Sequence, residues 1–192
     1  MFEGRIIIFS APSGAGKTTI VRALLEKHPE LFSFSVSATT RMRRPHEIEG
    51  VHYYFLSTED FKQKIENDAF VEYEQVYSGL YYGTLKSEIE RIWANKRHVL
   101  LDVDVRGGCN LKEKFKEKAL SIFVMPPSLE ILRKRLIDRG TESAQSLEMR
   151  IAKAASEIEF STRFDRIVVN DDLQKAIKQS MDYVELFLKK SK

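Results

Sequence analysis

Nearly uninterrupted apolar runs alternate along the chain with stretches in which apolar positions recur every three or four residues. The runs fall at residues 5–9, 99–103, 120–125 and 166–169, each short and rich in branched side chains. Short continuous apolar runs predict strands buried on both faces. Behind each one the period changes to that of a helix. Residues 17–28 put Ile20, Ala23 and Leu24 on one face ahead of Pro29, and helical spacing returns over roughly 110–118, 128–139 and 172–189. Alternating strand and helix predicts a mainly parallel sheet with helices packed on it.

Two stretches interrupt that rhythm. Residues 34–85 hold short strand-like pieces, a basic turn (Arg41, Arg43, Arg44 and Pro45) and several tyrosines. Within them Ser57 and Asp60 have the spacing of a capping box and predict a short helix there. A helical stretch follows over 86–96. Residues 140–147 are polar and separate two arginine-bearing helical segments, 128–139 and 146–160, which reads as the tip of a lid.

Composition narrows the class. At 192 residues, 43% hydrophobic and 31% charged, the chain has the make-up of a soluble globular domain rather than a disordered or membrane protein. The apolar run near the N-terminus is too short for a signal-peptide core or a membrane span, so no membrane partner is expected. Cys109 is the only cysteine, which excludes an internal disulfide and fits a reducing cytoplasm. A net charge of +3 gives no reason to expect nucleic acid as a partner. His28, His46, His52 and His98 lack the spacing of metal ligands.

The strongest local signal lies directly after the first predicted strand. Ala11, Pro12, Ser13, Gly14, Ala15, Gly16, Lys17, Thr18 and Thr19 form a glycine-bearing loop that opens a helix. Such a loop aims successive backbone N–H groups at phosphate oxygens, and the helix N-terminus adds a favourable partial charge. Lys17 is then placed to reach the β and γ phosphates of a nucleoside triphosphate, and Thr18 to ligate Mg²⁺. The usual motif begins with Gly where this chain has Ala11, which is tolerable if φ there is negative. The loop alone does not separate kinases from GTPases or ATPases.

Asp102 and Asp104 end a predicted strand, where open parallel sheets keep their ligand crevice. The two aspartates are expected to have different tasks: either could hold Mg²⁺ through water or orient a substrate, and capping of the next helix or a structural hydrogen bond is the ordinary alternative for each. Arg41 and Arg44 offer planar forks suited to phosphate, although a lone basic turn is more often solvated surface. Tyr53 and Tyr82 could add hydroxyl donors.

Several motifs together resemble the guanylate kinases. The stretch from Phe34 through Ser37 and Arg41 to Arg44 and Pro45, then Gly50 to Phe55, is similar to that family's acceptor-binding signature, as are Phe70-Val71-Glu72-Tyr73 and Tyr81-Tyr82-Gly83-Thr84. The resemblance runs on through Leu101 to Gly107 and to Val169-Asn170-Asp171-Asp172. It implies a P-loop NTPase-type three-layer α/β fold with a parallel sheet core, an inserted GMP-binding subdomain and a helical lid. A single domain over 3–188 is expected, with its core at 3–33, 96–125 and 160–188, the GMP-binding region at 34–95 and the lid at 126–159.

The implied reaction moves the γ-phosphate of ATP to GMP, and dGMP as well, with Mg²⁺ accompanying ATP. Ser37, Glu72 and Thr84 would read guanine. Arg41, Arg44, Tyr53 and Tyr82 would hold its phosphate, with Gly83 and Asp102 beside it and Asp102 also near the metal through water. Asn170 joins the loop at 11–19 on the ATP side. In the lid, arginines matching Arg135, Arg139 and Arg150 would work with Lys17 on the transferred charge. Two alternatives stay open: a related kinase with another acceptor, and a non-catalytic binding module of the same fold. A GTPase has no support, because the chain lacks an Asn-Lys-x-Asp motif.

Overall fold

Order along the backbone follows the alternation of periods closely. The computed structural model describes residues 2–77, 79–138 and 144–189. Its elements run β1 (Ile6–Ser10), α1 (Lys17–Lys27), β2 (Phe32–Phe34), β3 (Ala38–Thr39), β4 (Tyr54–Phe55), α2 (Thr58–Glu66), β5 (Phe70–Tyr77), β6 (Leu80–Leu85) and α3 (Lys86–Ala94). They continue with β7 (His98–Val103), α4 (Val105–Phe115), β8 (Ala119–Met125), α5 (Leu129–Asp138), α6 (Ala144–Glu159), β9 (Arg166–Val169) and α7 (Leu173–Lys189). One sheet carries the consecutive strands β7-β1-β8-β9 and the other has the order β4-β3-β6-β5.

The chain divides into two compact units, Met1–Gly4 with Glu30–Val99, and Arg5–Pro29 with Leu100–Lys192. In the second, β1 pairs parallel with β8, and β8 parallel with β9. Every residue of β1 is buried, as a strand covered on both faces must be. The loop that follows β1 is therefore anchored in the least yielding part of this unit.

The first unit is a mixed sheet with one helix closing its core. β3 runs parallel to β4 but antiparallel to β6, which pairs antiparallel with β5. Phe61 of α2 is fully buried and stacks on Phe70 with ring centroids 4.4 Å apart. Ala38, Leu85, Tyr54 and Tyr81 complete that cluster. The helix expected at Ser57 forms as α2, and the Ser57 hydroxyl accepts from the Asp60 N–H at 3.0 Å. The Asp60 carboxylate takes the Ser57 hydroxyl rather than closing a reciprocal box on its backbone.

The main departure from the sequence reading is α4. Helical spacing predicts a start near residue 110, whereas the helix begins at Val105 and gives way to a 3₁₀ turn at Lys116–Lys118. Gly107 and Gly108 lie inside it. Gly108 is a packing glycine: a Cβ there would lie 2.3 Å from Ser10 Oγ and 3.2 Å from the Phe164 ring. Asp104 is the N-cap, accepting from the Gly107 N–H at 2.7 Å. Replacing that cap, Asp104→Ala should cost about 1 kcal/mol of stability while Asp104→Asn stays within a few tenths. Urea unfolding of both variants checks this.

Candidate functional site

In the second unit the site begins at the loop between β1 and α1. Gly14 and Gly16 take φ of 91° and 92°, left-handed values that L side chains rarely adopt. Ala11, which stands where the usual motif has Gly, is not at positive φ, so its methyl group is accommodated. Gly16 is the N-cap of α1 and supplies no side-chain acceptor, so the first-turn N–H groups stay directed at an incoming anion.

Two neighbours hold the loop and a third holds one of them. The Asn170 side chain donates to the Ala15 carbonyl at 2.7 Å and fills the space that a Cβ on Gly16 would need, 2.2 Å from its amide nitrogen. Arg150 of α6 donates to the Ser13 hydroxyl at 2.7 Å. Arg135 of α5 donates to the Asn170 carbonyl at 2.9 Å. Arg135 and Asn170, with Gly14, Gly16, Thr19, Asp171 and Leu173, line a cavity of about 240 Å³. Arg139 lies outside the described residues.

Lys17 and Asp102 form an ion pair at 2.6 Å, and the Lys17 ammonium also donates to the Val103 carbonyl at 2.6 Å. The other Asp102 oxygen accepts from the Thr18 hydroxyl at 2.7 Å. Asp102 therefore turns toward the loop and Asp104 toward α4; residues two apart in a strand share a face, and these two part because β7 ends at Val103 and Asp104 already caps the helix. On α6, Glu157 lies seven residues after Arg150 on the same face. Burial pushes its carboxyl up; Lys153 opposes that shift, and Asp104 and Lys17 are within electrostatic reach. The sequence reading missed Glu157, although its helical spacing from Arg150 was visible.

In the first unit, pairing of β5 with β6 sets Glu72 opposite Thr84, and the Thr84 hydroxyl donates to the Glu72 carboxylate at 2.7 Å. Thr84 is fully buried. Gly83 between Tyr82 and Thr84 is required by crowding, since a Cβ there would stand 2.9 Å from the Glu72 carbonyl oxygen and from the Phe70 ring. The next strand, β3, pairs Ala38 with Gly83, which brings the segment carrying Ser37 alongside. The Ser37 carbonyl accepts from the Tyr54 N–H at 2.9 Å.

The arginine turn is held by an acid that the sequence reading did not single out. Glu47 accepts two hydrogen bonds from the Arg41 guanidinium, at 2.7 and 3.0 Å, and one from the Arg44 backbone N–H at 2.8 Å. The same guanidinium lies 5.3 Å from the Tyr53 ring centroid, and the Tyr53 and Tyr82 rings are 6.0 Å apart. Arg41, Tyr53 and Tyr82 are thus gathered, and the Arg44 side chain is exposed on the same turn. An acid three residues beyond a second arginine was the available signal.

Three comparisons with known proteins agree. A sequence model described as guanylate kinase matches residues 3–186. A guanylate kinase of Bacteroides thetaiotaomicron is 50% identical over 187 residues, 97% of this chain and 91% of that protein. One from Porphyromonas gingivalis is 46% identical over 97% of this chain and 99% of its own length. The crystal structure of guanylate kinase from Anaplasma phagocytophilum superposes with a TM-score of 0.78 at 30% identity, covering 97% of this chain and 87% of that one.

Glu47 generates a pH prediction. The Arg41 hydrogen bonds, working against burial and helped by the Arg44 N–H, lower its carboxyl from 4.5 to about 2. A depressed carboxyl contributes stability that is present above its unfolded value, about 4.3, and is lost as pH falls toward the folded value. Glu47→Gln should therefore be less stable at neutral pH and lose less stability on acidification from about pH 4.5 to about pH 2. Urea unfolding across that range measures it; equal slopes would exclude Glu47 as the titrating group.

Proposed function

Since this chain belongs to the guanylate kinase family, whose reaction transfers the γ-phosphate of ATP to GMP to give ADP and GDP, we propose how its own residues divide that work. The observation that carries the assignment is the opposed pair Glu72 and Thr84, 2.7 Å apart. Guanine presents N1–H and an exocyclic amine as adjacent donors, which a carboxylate accepts together, and its O6 takes a hydroxyl donor. Adenine lacks the N1–H and carries its amine where guanine has O6, so it would offer the Glu72 carboxylate no matching pair of donors, which is costly in a site built to hydrogen-bond the base. Ser37 joins Glu72 and Thr84 in reading the base. None of these contacts uses the ribose 2′-hydroxyl, so dGMP is accepted as well.

Arg41, Arg44, Tyr53 and Tyr82 hold the GMP phosphate, with Glu47 fixing the guanidinium of Arg41. Residues 11–19 and Asn170 bind ATP. The Thr18 hydroxyl and Asp102 carboxylate are hard oxygen donors that suit Mg²⁺, Asp102 acting through water, and the ion supplies charge neutralisation at the β and γ phosphates. Lys17, Arg135, Arg139 and Arg150 stabilise the transferred charge; for Arg139 the support is the family resemblance alone. Phosphoryl transfer of this kind needs positioning and electrostatics, with no covalent enzyme intermediate. An ionised phosphate is already a nucleophile, so no strong general base is assigned. The proposed setting is the cytoplasm, without nucleic acid or membrane as partner; among the described residues no helix is long and apolar enough to cross a membrane.

A coupled ADP-release assay over GMP, dGMP, AMP, UMP, CMP and dTMP tests the assignment. GMP and dGMP should be used and AMP rejected; preference for AMP would overturn it. Glu72→Ala should lower kcat/KM for GMP by a factor on the order of 10² or more with KM for ATP little changed. Lys17→Ala should lower kcat by a factor on the order of 10² to 10³ with every acceptor.

A further inference from the structure

Glu88 is an acid inside the first unit that the reaction does not call for. It stands in the first turn of α3, on the face that buries Ile89 and Ile92, and is only 3% exposed. A buried carboxylate persists only when paired and when its lone pairs are filled. Arg91 meets the first need with a two-pronged grip, Nε on Oε1 and a terminal nitrogen on Oε2, both at 2.9 Å. Two further donors meet the second. The Val36 backbone N–H reaches Oε2 at 2.9 Å, and the Tyr54 hydroxyl reaches Oε1 at 3.0 Å.

The neighbours of those donors give the carboxylate its importance. Val36 directly precedes Ser37, assigned above to the guanine. Tyr54 directly follows Tyr53, assigned to the phosphate, and its own N–H is bound to the Ser37 carbonyl at 2.9 Å. The helix that carries Glu88 starts at Lys86, two residues after Thr84. One carboxylate thus ties together three stretches of chain that are far apart in sequence, and each stretch presents a different GMP contact.

We propose that Glu88 is a positioning residue for the acceptor nucleotide: through Val36, Tyr54 and its own helix it sets the spacing of Ser37, Tyr53 and Thr84, and so the affinity for GMP, without touching the nucleotide. The inference rests on the assignment of those three residues to GMP. Its signature is selective. A general loss of structure would weaken both substrates, whereas a displaced acceptor contact raises KM for GMP alone.

The test is steady-state kinetics on Glu88→Ala, Glu88→Gln and Tyr54→Phe, varying GMP and ATP in turn, with circular dichroism to confirm folding. Glu88→Ala removes all four hydrogen bonds and should raise KM for GMP about tenfold or more, with KM for ATP within about twofold of wild type. Glu88→Gln can rescue, because its carbonyl can accept from Val36 and the Arg91 terminal nitrogen while its amide donates to the Tyr54 oxygen, with the Arg91 Nε bond alone lost; KM for GMP should stay within about threefold. Tyr54→Phe removes one donor and should raise it about threefold to fivefold. A folded Glu88→Ala enzyme with unchanged KM for GMP, or with KM for ATP rising in step, overturns the proposal. Should Glu88→Ala not fold, an unchanged KM for GMP in Tyr54→Phe overturns it. Glu72→Ala run alongside separates the two levels: if it too leaves GMP use intact, the acceptor assignment itself is wrong, and if only the Glu88 and Tyr54 variants are silent, the positioning role alone falls.

Discussion

Binding a polyphosphate through main-chain N–H groups demands a backbone shape that most residues resist, and the second unit is organised around supplying it. The two left-handed glycines give the loop its curvature, but glycine also brings conformational freedom that the folded state must remove. That removal is done from outside the loop. Asn170 occupies the space beside Gly16, Arg150 holds Ser13, and the fully buried β1 fixes where the loop begins. Lys17 is fixed in the same manner by Asp102 and the Val103 carbonyl. Arranged in advance, these groups need little reorganisation as charge moves, which is the condition under which fixed dipoles and cations are most effective.

The first unit faces the opposite difficulty. It is assigned an anion as ligand, yet it contains Glu47, Glu72 and Glu88. Each has its charge managed locally, Glu47 by Arg41, Glu88 by Arg91, and Glu72 by the Thr84 hydroxyl. The acids therefore act as fixed acceptors that orient donors, and Arg44 keeps an exposed cation on the same turn as Arg41. Removing one partner of such a pair leaves an uncompensated charge and costs more than the pair contributes when intact.

Much of this was legible in the chain because the relevant signals are local. The strands at β1 and β8 follow from continuous apolar runs, the phosphate loop from its glycines and their place between a strand and a helix, and α2 from Ser57; β9 forms where its run lies, but as an edge strand it buries only Val168 and not both faces. What was not legible depends on partners distant in sequence. The glycines of α4 look like a break until Ser10 and Phe164 are seen packed against residue 108. Asp102 and Asp104 carry the same charge, and only the register of β7 and the start of α4 separate their tasks. Glu88 reads as an ordinary surface acid, because nothing local shows that Val36 and Tyr54 will close on it, whereas Glu47 carried a local signal in the arginines just before it.

The hydrogen bond from Asn170 to Ala15 spans 155 residues, and that from Arg150 to Ser13 spans 137. On a ribosome the phosphate loop emerges long before the groups that hold its shape. Contacts of such long separation form late, after loop closure over most of the chain. The nascent protein thus carries its glycine-rich segment unbraced until Arg150 and Asn170 have been made, and the capacity to bind a triphosphate arrives only when β9 takes its place beside β8. A chain cut short before that strand would keep the motif and lose the geometry.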